Sequence, residues 1–222
     1  MEKMPFQEHA AIETVVSTVP LPTRVPSATD WRAGLPTLTG ALVTLRELRL
    51  TDAPSLFVSL TTNEVARFIS PPPTTVAGFE RFIAWTHRQR AAGHYICFAV
   101  VARTSDLAIG LVQIRSLEPD FGTAEWGFAI AYEFWGTGAF FDSATLALDY
   151  AFTVVGSHRL EARAATVNAR GNGALRKLGA KREGLLRKSF LRNGEYLDQL
   201  LWTIIAEDWF EAKATWGSPI IH

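Results

Sequence analysis

About 26 residues separate two strand-like segments between Ala131 and His158, and that interval carries a helical period. Phe141, Ala144, Leu148, Ala151, Phe152 and Val155 recur at helical spacing, with Asp142, Thr145, Asp149 and Thr153 opposite. A hairpin needs only a few linking residues, whereas two parallel strands need a crossover of about a dozen or more, usually helical. The segments on either side, Ala124 to Ala131 and Arg159 to Val167, are therefore expected to run parallel. The segments before them read differently. Tyr95 to Ala102 and Leu107 to Ile114 are β-rich and joined by the turn Arg103-Thr104-Ser105-Asp106, and Pro119 to Gly122 is the next turn, so these strands form an antiparallel meander. One parallel step grafted onto a meander requires a mixed sheet with helices on both faces, and excludes an all-helical or all-parallel fold.

The flanking elements extend this order to β-α-α-β-β-β-α-β-α-β-β. Leu42 to Leu48 reads as a first strand, and Thr51-Asp52-Ala53-Pro54 opens a helix through Leu60. Thr75 caps a longer helix with Phe79, Phe82 and Ile83 on its buried stripe, closed by Gly93. Asn193-Gly194 between two strand-like runs is the strongest short hairpin signal in the chain. Residues 1–37, with Pro5, Pro20, Pro22, Pro26 and Pro36, read as an extended or disordered arm, with or without a role in wrapping a neighbouring subunit through Trp31. Residues 38–210 form the folded domain and 211–222 a C-terminal tail.

Composition removes several classes of function. Lys+Arg and Asp+Glu both number 22 in the 222 residues, and this balance argues against nucleic acid as the main partner. No apolar run approaches a membrane span, and no secretory leader opens the sequence, so a cytoplasmic protein is expected. Cys97 is the sole cysteine and alternates with apolar neighbours, which points to a buried structural thiol. The five histidines lack metal-ligand spacing, so no metal is expected.

Three local sequences carry chemistry. Glu133-Phe134-Trp135-Gly136-Thr137-Gly138-Ala139-Phe140 lies between a strand and a helix, where glycines let backbone N–H groups face a phosphate and the helix adds its positive end. It lacks the Gly-Lys-Ser/Thr of a nucleotide-triphosphate loop and the third glycine of the dinucleotide fingerprint. In the strand before it, Trp126, Phe128 and Ile130 share one face, and Glu125, Gly127, Ala129 and Ala131 the other. Small residues leave room for a substrate beside Glu125, although a plain ion pair with Arg115 across the meander accounts for that carboxylate equally well. Asn168 ends the next strand, where it serves as a helix cap or as a donor and acceptor to a peptide-like chain between splayed strands.

Taken in order, these pieces resemble the GNAT superfamily of acyl-CoA-dependent N-acetyltransferases, and within it the ribosomal-protein N-terminal acetyltransferase (RimJ/RimL-like) branch. The likeness runs from Glu125-Trp126-Gly127-Phe128 through Phe134 to Gly138. It continues in Asn168, Leu175-Arg176-Lys177-Leu178-Gly179 and Glu183-Gly184-Leu185-Leu186-Arg187, then Asn193 to Asp198 and Glu207-Asp208-Trp209. The resemblance implies a GNAT-like fold in which the strand of Glu125 and its parallel neighbour splay into a V that takes the pantetheine arm of acetyl-CoA. It implies contacts to that arm from Phe128, Ala129, Ile130 and Asn168. It also implies pyrophosphate binding by the N–H groups of Gly136, Thr137, Gly138, Ala139 and Phe140. The expected reaction is direct transfer of the acetyl group to a primary amine, on a protein N-terminus or a small molecule, with Glu125 as general base and Asn168 at the catalytic centre. A homodimer is compatible with the branch. Transfer of another acyl group such as succinyl, or a non-catalytic acyl-CoA-binding role, stays open at this point.

The departures concern the acid. The family's tyrosine position is Leu175, the branch's serine position is Gly171, and the residue opening the pyrophosphate motif is Glu133. Tyr132 and Ser143 stand near in sequence as replacements. Asp198 matches a recurrent aspartate of the family, either fixing the hairpin or meeting the acceptor ammonium.

Overall fold

The computed structural model describes residues 30–216. Eight strands form one sheet in the order β1-β2-β3-β4-β5-β6-β8-β7. They are β1 (Leu38–Thr39), β2 (Val43–Glu47), β3 (Tyr95–Ala102), β4 (Ala108–Ser116), β5 (Thr123–Ile130), β6 (Arg159–Ala165), β7 (Lys181–Arg192) and β8 (Glu195–Ile205). Every neighbouring pair is antiparallel except β5 and β6. The parallel step expected from the long helical interval is therefore present, and α4 (Ala139–Tyr150) supplies its crossover. The other helices are α1 (Ala53–Leu60), α2 (Asn63–Ala66), α3 (Val76–Ala91), α5 (Ala169–Lys177) and α6 (Ala206–Trp216).

The pleat of the central strands sorts side chains into two cores, one on each face. Val100, Val112, Ile114, Trp126 and Ile130 meet Ala144 and Leu148 of α4 and Trp209 of α6. Cys97, Ala99, Leu111 and Ala129 meet Leu56 and Leu60 of α1 and Phe79 and Ile83 of α3. Thr75 caps α3 by accepting the Gly78 N–H at 3.0 Å. Asn193 and Gly194 both take positive φ, as the two-residue hairpin between β7 and β8 requires.

Several positions differ from the sequence reading. Trp31, assigned above to the arm, is 5% exposed and packs edge-on against Phe121 at 5.3 Å, so the packed part of the chain begins ahead of residue 38. The rest of the arm, residues 1–29, lies outside the described residues. Helix α6 runs on to Trp216, past the expected start of the tail. Phe141, placed on the buried stripe by its spacing, is 39% exposed, because the buried face of α4 runs through Ala139, Ser143 and Ala147. Asp142 is no idle surface residue: its carboxylate accepts the N–H groups of Ala41, Leu42 and Val43 at 3.2, 2.7 and 2.9 Å, tying the β1–β2 loop to the start of α4.

Candidate active site

Strands β5 and β6 pair only through Thr123–Arg159, Ala124–Leu160 and Glu125–Glu161. Beyond that row β5 stays on β4 as far as Ile130, and β6 stays on β8 as far as Ala165. Each strand is held by its outer neighbour, so their inner edges diverge and a V opens above Glu125. The Ala131 N–H donates to Ile109 on the β4 side at 2.8 Å. Strand alternation then turns the backbone of Gly127 and Ala129 toward β4, and that of Trp126, Phe128 and Ile130 into the opening. The Ile130 carbonyl is taken there by the Trp135 indole N–H at 2.9 Å. A row of inward-facing amides requires a partner, and an extended chain with amides of its own supplies one. The cleft has a volume of about 1400 Å³ and continues from this opening to the turn at Gly136–Gly138 and the start of α5.

That turn is built by two left-handed residues, Gly136 at φ 80° and Gly138 at φ 94°. Gly138 is the N-cap of α4, and no side chain caps the helix. Among the described residues, the N–H groups of Gly136 and Gly138 have no hydrogen-bond acceptor. The Thr137 N–H has only a long bond to Phe134 O at 3.5 Å, and the Ala139 N–H one of 3.4 Å to Thr137 Oγ1. Uncapped donors at the positive end of a 12-residue helix are a ready site for an anion. The exposed cations Arg170, Arg176 and Lys177 of α5 also line the cleft, and Arg170 lies 4.8 Å over the Trp135 ring, beside the turn.

Glu125 sits at the apex of the V, part-buried, on the face shared with α1 and α3. One register row crosses the sheet there: Tyr95 on β3, Arg115 on β4, Glu125 on β5 and Glu161 on β6. The Arg115 guanidinium donates to Glu125 Oε2 in a short ion pair. The ion pair expected across the meander is present, and the same carboxylate lines the cleft. Below Gly127, the Tyr95 hydroxyl donates to Gln113 Oε1. Burial pushes the Tyr95 phenol far above its ordinary value, with Cys97 adding to the shift and Arg115 opposing it, so the hydroxyl stays protonated as a hydrogen-bond donor.

Asn168 lines the cleft as the N-cap of α5, its Oδ1 accepting the Gly171 N–H at 2.9 Å. The departure at Gly171 has a steric reason: a Cβ there would stand 2.5 Å from Asn168 Nδ2. Capping consumes the amide oxygen and leaves the Nδ2 donors without a partner among the described residues. Asn172 locks the same junction, donating to Ala165 O and Asn168 O at 2.9 Å and accepting from the Trp202 indole at 2.8 Å. Leu175 is buried in the core at 1% exposure. Neither substitute acid reaches the cleft. Tyr132 is 53% exposed on the turn after β5, and Ser143 is fully buried with its hydroxyl donating to Phe140 O. Asp198 accepts the Lys188 N–H at 2.8 Å and so holds the bulge of β7, the first of its two expected roles.

The cleft-lining residues that no motif marks are Tyr95, Gln113, Arg67, Arg163 and Arg170, which enter through cross-strand register and helix packing, while Trp135 stands inside the glycine-turn motif without a role read for it.

A splayed parallel pair, inward-facing amides and an anion-ready helix start describe one architecture, and the sequence comparison agrees with it. Residues 43–181 match the Acetyltransferase (GNAT) domain family. The chain belongs to the GNAT acetyltransferase family. As a GNAT protein it is an acyl-CoA-dependent acetyltransferase. An N-acetyltransferase named p20 from Bacillus licheniformis is 25% identical over 168 residues, covering 75% of this chain and 94% of the relative. The spermidine N(1)-acetyltransferase of Escherichia coli strain K12 is 30% identical over 112 residues, covering 50% of this chain and 60% of that enzyme. The solved structure of Mycobacterium smegmatis RimJ in complex with CoA-disulfide has a TM-score of 0.72 at 20% identity, over 81% of this chain and 93% of that one. That likeness establishes the shared GNAT fold.

Proposed function

We propose that this chain moves an acetyl group from acetyl-CoA to a primary amine by direct attack within a ternary complex, as an enzyme of the RimJ/RimL-like kind. The observation that carries this reading is the loss of β5–β6 pairing immediately beyond Glu125, which sets a carboxylate at the apex of a cleft lined by open backbone amides. The residues fit the co-substrate along its length. Gly136, Gly138 and the first turn of α4 would hold the pyrophosphate, assisted by the cations of α5. The open edges of Trp126 and Phe128, with Asn168 Nδ2 opposite, would hold the pantetheine. When bound, acetyl-CoA supplies the acetyl group as a thioester, a more reactive acyl donor than an amide.

The chain's own residues do the remaining work. Glu125 takes a proton from the acceptor ammonium through Oε1, while Arg115 fixes the carboxylate by its other oxygen. General-base assistance of this kind is worth about 10²–10⁴-fold. The Phe128 N–H faces the opening and stabilises negative charge developing on the acyl oxygen. No side-chain acid among the described residues of the cleft replaces the family's tyrosine. Thiol pKa values lie near about 8–9, so the thiolate departs into solvent near neutral pH without one.

The test is thermal unfolding with and without saturating acetyl-CoA, with ATP and NAD as controls, followed by a free-thiol assay with amines. Ligand at a hundred times its Kd adds about 2.7 kcal/mol, which raises the midpoint by roughly 5–10 °C in a domain of this size. Absence of a selective shift would remove the cofactor assignment, and with it the mechanism.

A further inference from the structure

The acceptor side of the cleft has a charge pattern of its own. Phosphates at the start of α4 lie on the α4 face, so an acceptor approaches Glu125 from the opposite face, under α1, α2 and α3. The carboxylates of the sheet there are neutralised: Glu125 pairs with Arg115, and Glu161 with Arg159. Two guanidiniums are not. Arg163 follows Glu161 by two residues on β6, level with Gly127 across the opening, where β5 and β6 have already separated. Arg67 closes α2 with its guanidinium 4.5 Å over the Phe68 ring. Both line the cleft, and neither forms an ion pair among the described residues. Glu64, one turn before Arg67, is the unpaired carboxylate nearby. The apolar lining of the same cleft includes Leu60, Phe68, Phe82 and Phe190.

Resting on the acetyltransferase reading above, we propose that the acceptor is a small amine bearing a carboxylate on an apolar body, an amino acid with an aromatic or aliphatic side chain. Its ammonium meets Glu125 and its carboxylate meets Arg163 and Arg67. A guanidinium presents a planar fork of donors matched to a carboxylate, and both forks here are free. A polyamine brings several positive charges against two unpaired guanidiniums, with Glu64 as the single unpaired carboxylate beside them and Glu125 already held by Arg115. The same repulsion makes the cleft a poor spermidine site despite the similarity to a spermidine acetyltransferase. Of the α5 cations, Arg170 stacks on Trp135 beside the turn at Gly136, where the co-substrate's own charge matches it.

The experiment measures thiol release at saturating acetyl-CoA with matched acceptors: phenylalanine against phenethylamine, leucine against isoamylamine, and spermidine and a peptide amide alongside. The amino acid of each pair should exceed its carboxylate-free partner and spermidine by about tenfold or more in kcat/KM, the scale of one charge-assisted contact. Arg163→Gln and Arg67→Gln should each lower kcat/KM for phenylalanine about tenfold more than for phenethylamine, through KM. Equal rates within the pairs, a preference for spermidine or the peptide amide, no acetylation of any amino acid, or variants that depress both partners alike would overturn the proposal. The acetyl-CoA thermal shift separates the two levels. A shift without amino-acid acetylation sinks this proposal alone, whereas no shift sinks the reading beneath it.

Discussion

Replacing Gly136 and Gly138 singly by alanine isolates the role of the turn that starts α4. Gly136 has φ 80° with open space where a Cβ would go, so Gly136→Ala perturbs backbone conformation alone. Gly138 has φ 94°, and its Cβ would stand 2.9 Å from Leu42 Cδ1, the half-exposed tip of a movable side chain. A non-glycine residue in the left-handed region costs roughly 1–2 kcal/mol. At about 2–4 °C per kcal/mol for a chain of this size, each variant should lose roughly 2–8 °C in Tm. The second consequence concerns binding. If the turn rotates to escape the strain, one or two N–H groups leave the phosphate, and hydrogen bonds to charged groups are worth about 1.5–3 kcal/mol each. Acetyl-CoA should then bind at least about 10-fold more weakly, and up to about 10⁴-fold if both bonds are lost in full, as read by titration calorimetry at constant ionic strength. The acceptor KM at saturating acetyl-CoA should stay unchanged. Variants with the expected loss in Tm but a Kd within about threefold of the parent would show that the turn is only a turn, and the phosphate assignment would be refuted.

Other outcomes follow from single groups. Glu125→Gln should cut kcat by about 10²–10⁴-fold while acetyl-CoA affinity holds; a kcat within about threefold of the parent would remove Glu125 from the base role. Burial holds the Cys97 thiol well above its ordinary value, so thiol reagents should label it in denaturant and not in the native state at pH 8. Glu183 is held down at about 2 by hydrogen bonds first from Arg159 and then from Thr203. A depressed carboxylate contributes stability that is present above its unfolded value near 4.5 and is lost as pH falls through about 2. Glu183→Gln should therefore lower Tm at pH 7 and lose its effect by pH 2. Because the pair is solvent-exposed, the difference should be at most about 1 kcal/mol, and an equal difference at both pH values would contradict the assignment.

What could be read from the chain itself is what depends on near neighbours in sequence. The helical period of residues 141–155 required the parallel step, Asn193-Gly194 required the last hairpin, and Gly136-Thr137-Gly138 before a helix required a turn with free amides. The small-residue alternation Glu125, Gly127, Ala129 likewise marked the open face of β5, because pleat direction is a local property. Substitute acids chosen by nearness in sequence went astray for the complementary reason. Ser143 is only a few residues from the turn, yet one helical face carries it into the core with its hydroxyl bonded to Phe140 O.

The tertiary structure alone decided the rest. That β5 and β6 part after Glu125 follows from β4 and β8 each holding their own strand, a balance of hydrogen bonds among segments as far apart as Gly110 and Gln199. The row Tyr95, Arg115, Glu125, Glu161 exists only once four strands are in register. Asn168 is both cap and cleft residue because Gly171 leaves room for its amide. Arg67 and Arg163 line one cleft although they come from a helix near the start of the domain and a strand about a hundred residues later. Local sequence sets the conformation of each piece, but which charges meet, and which are left without a partner, depends on packing between pieces that the linear order does not bring together.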